Sequence, residues 1–187
     1  MNIFVLHENP RTAAQMMCDK HIPKMCVETA QMMASALRKH GATDDMMPLT
    51  MSGTPYKGGY ANHPCTVWTG INQGNYDWLA EHGHELLIQY WVRFGKKHGC
   101  SDAIMQMYNM EYLLPEGNLT DFARAFQKGS PEYDDLYDAS KFTAVEAYRA
   151  YYIRGKAHFA KWEKGVSAPS WWYNVLDLPT IEVMKID

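Results

Sequence analysis

The stretch Cys18-Asp19-Lys20-His21-Ile22-Pro23-Lys24-Met25 gathers a thiol, two ammonium groups and an imidazole around one proline. An imidazole gives or takes a proton near neutral pH, and a lysine beside a second lysine can have a lowered pKa. Pro23 lacks the N–H that would bond the carbonyl of Asp19, which leaves that acceptor open to water or a ligand. At helical spacing Cys18, His21, Met25 and Glu28 share one side, with Lys20, Lys24 and Gln31 on the adjacent one. The pattern suits acid–base work by His21, with Lys20 or Lys24 contacting a phosphate or sugar. A kinked helix carrying solvated lysines would have the same pattern.

Asn62-His63-Pro64-Cys65 is a second cluster, where a polar pair precedes a proline-started helix beside free backbone N–H groups. It reads as an anion site or as a simple cap. Beyond it Trp68, Asn72, Asn75 and Tyr76 fall on one broad helical face. Amides beside aromatic rings suit a nucleobase, which needs a stacking platform and edge hydrogen bonds; a buried aromatic stripe is the competing reading. A third run, Tyr148 to Lys156 followed by Pro169-Ser170-Trp171-Trp172, interleaves rings with Arg149, Arg154 and Lys156, as single-strand and nucleotide surfaces do. Cys18 and His21 have an acceptable i,i+3 spacing for zinc, but His63-Pro64-Cys65 is not a usual knuckle, and neither a metal nor a cofactor is expected.

The elements that must hold these groups are helical. Asn9-Pro10 is a helix start, with an N-cap before proline at the first helical position, and the pattern runs to about His21. Pro23 then kinks that helix or opens a second one, which stops at Gly41. Residues 42–62 form a long loop. A helical pattern follows to residue 99, which glycines 70, 74 and 83 divide or bend. Further helices are expected from Ser101 to about Leu114, over Leu119–Gln127, and over roughly 139–164, with an irregular tail after Gly165.

The expected fold is one all-α domain over residues 1–187, with a short extended N-terminus and an irregular C-terminal tail. Four scattered cysteines do not make a secreted disulfide framework, and no apolar run reaches the roughly 18 residues that span a bilayer. A soluble, cytoplasmic protein is therefore expected. The net charge of −3 argues against duplex binding by the whole surface. Segment 141–164, however, carries six Lys or Arg against two Glu, enough for one basic face.

Lys20-His21-Ile22-Pro23-Lys24, after Ala13 and Ala14, resembles the basic–acidic–aliphatic–Pro–basic helix signature of the pyrimidine-dimer DNA glycosylases of the endonuclease V type, small all-helical phage enzymes. Pro169-Ser170-Trp171-Trp172 is similar to the Pro-x-Trp-aromatic stretch that follows their last helix. The resemblance implies the compact helical endonuclease V fold. It also implies attack on a sugar carbon by the chain's own α-amine, exposed by removal of Met1 and assisted by a helix glutamate. This chain departs from the pattern: residue 2 is Asn, the glutamate position reads His21, and Glu28 lies two turns further on.

Three readings follow. The first is a nucleic-acid- or nucleotide-directed protein of phage type, such as a pyrimidine-specific N-glycosylase/lyase. In it His21, Lys20 and Lys24 are catalytic, Asn62, His63, Trp68, Asn72, Asn75, Arg149 and Trp171 bind the ligand, and the partner is nucleic acid or a small nucleotide. The second is a nucleotide-sequestering module on the same fold. The third is a helical interaction domain, whose 13 methionines would give it an adaptable surface.

Overall fold

The structure, a computed structural model, describes residues 1–127 and 129–173. Its α-helices are α1 (Pro10–Gln15), α2 (His21–Lys39), α3 (Pro64–Thr69), α4 (Gln73–Phe94), α5 (Ser101–Tyr108), α6 (Ala144–Lys156) and α7 (Ser170–Tyr173), and no strand forms among the described residues. The chain is all-α, as its periodicity requires. No helix among the described residues is long and apolar enough to cross a membrane.

Proline and its caps decide the first break. Asn9 accepts from the N–H of Thr12 and Pro10 opens α1. The helix stops at Gln15, short of the expected His21, and Pro23 belongs to the first turn of a second helix rather than to a kink. The intervening turn is held from inside. The buried Arg93 guanidinium of α4 donates to the carbonyls of Met17 and Gln15 and to the Asp19 carboxylate. A buried cation needs such a ring of acceptors to offset its desolvation.

Of the three glycines, only Gly70 ends a helix, as the C-cap of α3. Gly74 and Gly83 lie within α4, where they allow close approach rather than bending. A Cβ on Gly83 would meet Cγ2 of Thr29 at 2.6 Å, and one on Gly74 would collide with the backbone of residues 117–119. Helix α4 can therefore run unbroken across α1, α2 and α5 at the centre of the domain.

Two expected helices are corrected. Residues 119–127 are irregular, because their polar groups bond to distant elements instead of to each other. Thr120 pairs with Asn75, the N–H of Ala125 donates to the Tyr148 hydroxyl, and Arg124 donates to the carbonyls of Leu136 and Phe142. The last long helix is shorter than 139–164. A capping box of Thr143 and Glu146 starts α6, and it ends at Lys156. The Trp171 end of the tail forms α7, and residues 174–187 lie outside the described residues.

Ile3 to Leu6, the short N-terminal stretch, are buried in the core. Asn2 fixes this segment: its side-chain amide donates to Ala125 and its oxygen accepts from the N–H of Phe4. Phe4 has a positive φ of 36°, an uncommon conformation for an aromatic residue, and the surrounding bonds hold it there. The bend turns the start of the chain inward, toward α2.

Candidate active site

Three pieces of chain close a cavity of about 360 Å³: the bent N-terminal segment (Met1, Asn2, Phe4), one side of α2 (Lys20 before it, then His21, Lys24 and Glu28) and the end of α6 with the residues after it (Tyr151, Lys156, Phe159). The volume is at the lower end of the range for small-molecule sites. His21, Lys24 and Glu28 reach it together because spacings of three, four and seven residues place them on adjoining stripes of one helix.

Glu28 is at the centre of the charge. Its Oε1 is 3.6 Å from the α-amine nitrogen of Met1 and 3.5 Å from Nζ of Lys24. Its Oε2 is buried without a hydrogen-bond partner, an arrangement that costs free energy unless a ligand completes it. Sequence reasoning did not assign Glu28 to the site, because it lies outside the five-residue signature. The signal was present in its shared helix face with His21.

His21 is 4% exposed, stacked on Phe4 with centroids 4.6 Å apart. Its Nδ1 is 2.6 Å from the Tyr152 hydroxyl. Burial, then the charges of Lys24, Lys156 and Lys20, push its pKa down to about 3, so the ring is neutral at physiological pH. Burial holds the Tyr152 phenol well above its usual range, so it keeps its proton.

Lysines ring the mouth. Lys20 lies over the Phe159 ring at 4.5 Å, and Lys156 over the Tyr151 ring at the same distance. Lys20 and Phe159 also line a neighbouring groove with Lys161 and Lys164. In the basic segment 141–164, Arg149 and Arg154 are tied inward, to the carbonyl of Leu6 and to Asp135, while Lys156, Lys161 and Lys164 face the cavity or that groove.

The other sequence-derived candidates separate from this cavity. His63 caps α3, and its pKa is lowered by burial and then by the α-amine, while Glu28 raises it, so it lies within electrostatic reach of both. Asn62 is exposed beside it. Trp68, Asn72 and Asn75 are enclosed and do not line the cavity. The Trp68 indole donates to the carbonyl of Asp121, Asn72 caps α4 and donates to Asn118, and Asn75 bonds to Trp68 and Thr120. Arg149 lies 5.5 Å from the Trp171 ring, and Trp171 packs with Tyr152 and Trp172; neither Arg149 nor Trp171 lines the cavity. Among the described residues no three His, Cys, Asp or Glu side chains assemble as a metal site.

The family model described as pyrimidine dimer DNA glycosylase matches residues 1–102, which is 102 of the 187 residues. No curated protein and no solved structure matches the chain. The matched residues include the N-terminal and α2 walls of the cavity, while Tyr151, Lys156 and Phe159 lie beyond them.

Proposed function

This chain belongs to the pyrimidine dimer DNA glycosylase family, and we propose that it acts on DNA as a pyrimidine-directed N-glycosylase with lyase chemistry, in the cavity around Glu28. The observation that carries the reading is the Glu28 carboxylate. One of its oxygens faces two amines and the other is buried and unpartnered, beside a neutral imidazole. Cleavage of a glycosidic bond builds positive charge at the sugar carbon. A preorganised carboxylate stabilises that charge, and the same group can relay the proton that an attacking amine must lose.

Lys20 and Lys24, both exposed at the mouth, would hold the phosphates on either side of the reacting nucleotide. His21 would position rather than exchange protons, because a ring neutral down to about pH 3 can hydrogen-bond but is a poor acid. His63 and Asn62 would meet the ligand from the α3 side. A substrate nucleotide must leave the duplex stack to enter such a cavity, which favours damaged or unpaired positions.

The test is incubation of the full chain with duplex oligonucleotides containing one thymine dimer or one abasic site, scored by strand cleavage. Cleavage that Glu28→Gln abolishes supports the reading. Tight binding of a mononucleotide without cleavage of any DNA would overturn it in favour of the sequestering module.

A further inference from the structure

A base that has lost its place in the duplex stack is stabilised by an aromatic face that receives it. The rings lining the cavity each have a face already covered. Phe4 is stacked on His21, Phe159 lies under the Lys20 amine, and Tyr151 lies under that of Lys156. Trp68, whose type and spacing suited a platform, is buried. Tyr60 differs from all of these. It is 70% exposed, on the loop that leads into α3.

That loop is fastened to the row of α2 residues that carries the site. Lys24, Glu28, Gln31 and Ser35 follow one another at helical spacing and form one stripe. The Ser35 hydroxyl donates to the carbonyl of Gly59 at 3.0 Å and accepts from its N–H at 2.8 Å. Gly58, at a φ of 81°, passes so close that a Cβ would collide with Ser35, and Gly59 lies against the Gln31 side chain. Gln31 and Ser35 stand about 5 and 10 Å beyond Glu28 along the helix, roughly one to three nucleotide steps. Tyr60 itself has a φ of 54°, a left-handed conformation rare for a bulky residue, and its carbonyl accepts from the N–H of His63 at 2.9 Å. Strain of this kind persists only where the surrounding structure imposes it, so the loop fixes where the ring stands.

We propose that Tyr60 is the stacking platform for an unpaired base beside the reacting nucleotide, and that it helps the protein tell lesion DNA from intact duplex; this rests on the glycosylase/lyase reading above. In an intact duplex both faces of a base are taken by its neighbours, and the ring has nothing to receive. At a lesion the stack is open, and a base freed there can lay its π-face on Tyr60. Phosphate contacts by Lys20 and Lys24 hold lesion and intact DNA alike. Tyr60 adds affinity only where a base has been released. A mount already held by Ser35 and His63 suits this role, because little backbone freedom remains to be lost when the base arrives.

The experiment compares the full chain with Tyr60→Asn and Tyr60→Phe on two duplexes of one sequence, one intact and one carrying an uncleavable abasic analogue, by fluorescence anisotropy. Asn tolerates the left-handed region, so Tyr60→Asn should melt at or above the parent's temperature. Its affinity for the abasic duplex should nevertheless fall by about fivefold to a hundredfold, the range for a lost base–aromatic stack. Affinity for the intact duplex should be unchanged, and Tyr60→Phe should match the parent on both. A fluorescent base analogue beside the abasic site should be quenched by the parent and brighter with Tyr60→Asn. Unchanged abasic affinity in Tyr60→Asn would overturn the platform, as would an equal loss on both duplexes, a similar loss in Tyr60→Phe, or a loss that follows a lowered melting temperature. In each of those cases cleavage of a true abasic site by the parent leaves the glycosylase/lyase reading standing. A parent that binds both duplexes equally and cleaves no abasic strand overturns both.

Discussion

The cavity around Glu28 and the knot around Asn75 are built from the same kinds of residue, polar side chains among aromatic rings, and they do opposite things. Asn75 is fully buried and its amide is completed by the chain: it donates to Trp68 and Thr120 and accepts from the N–H and hydroxyl of Thr120. Glu28 is nearly as buried, but it keeps one oxygen unpartnered and aims at a cavity ringed by amines. In the first region every polar group stabilises the fold. In the second the fold leaves one carboxylate oxygen without a hydrogen-bond partner, which a ligand can supply. Burial with complete partners marks structure, and burial with an unpartnered polar atom beside a cavity marks a candidate site.

Substitutions in the two regions should separate these roles. The largest effect belongs to Glu28→Gln, which keeps the shape and removes the charge. DNA cleavage should fall on the order of 10²–10⁴-fold, measured in single turnover, with urea unfolding close to that of the parent. Cleavage within tenfold of the parent would remove Glu28 from the chemistry. Asn75→Ala should do the reverse: a loss of about 2–3 kcal/mol in urea unfolding, because buried partners are left unpaired, and an unchanged rate per folded molecule. A specific loss of activity there would show that the knot also serves the ligand.

Lys24→Ala should have a smaller effect. Affinity for DNA should weaken across all sequences, and the slope of log K against log salt should flatten by about one unit, as one phosphate contact is lost. A salt slope equal to the parent's would mean that Lys24 serves only Glu28. The smallest effect concerns acid. Burial lowers the pKa values of both His21 and His82 to about 3 from an ordinary 6.5. Between those values the unfolded chain binds protons that the folded chain does not, so stability should fall as pH drops from about 6.5 toward 3 and be flat above that window. His82 is fully enclosed with both ring nitrogens unpartnered, so His82→Leu should flatten this slope in melting experiments without touching activity. An unaltered slope would place the acid sensitivity elsewhere.

Much of the scaffold was legible in the chain because its causes are local. Asn9-Pro10, Pro23 before a long apolar-faced stretch, His63-Pro64 and Gly70 each act within a few residues, and their helix boundaries follow from capping and the missing proline N–H. The pairing of His21 with Lys24, and the shared face with Glu28, also follow from helical period alone. The sequence misled where distant partners outweighed local propensity. Residues 119–127 have a helical composition but bond to Asn75, Tyr148 and Leu136, and Gly74 and Gly83 read as breaks when they are points of contact.

What the sequence determined by itself, then, was an all-α chain with a reactive stripe at the start of α2, since period, caps and residue types are properties of neighbours. Only the tertiary structure decided which stripe members line one cavity. It folded the N-terminus back so that its amine meets Glu28, and it brought Lys156 from 128 positions further along the chain to the same cavity. It also enclosed Trp68 and Asn75 away from that cavity. Those outcomes depend on which polar groups find partners across the fold, and no local pattern encodes that.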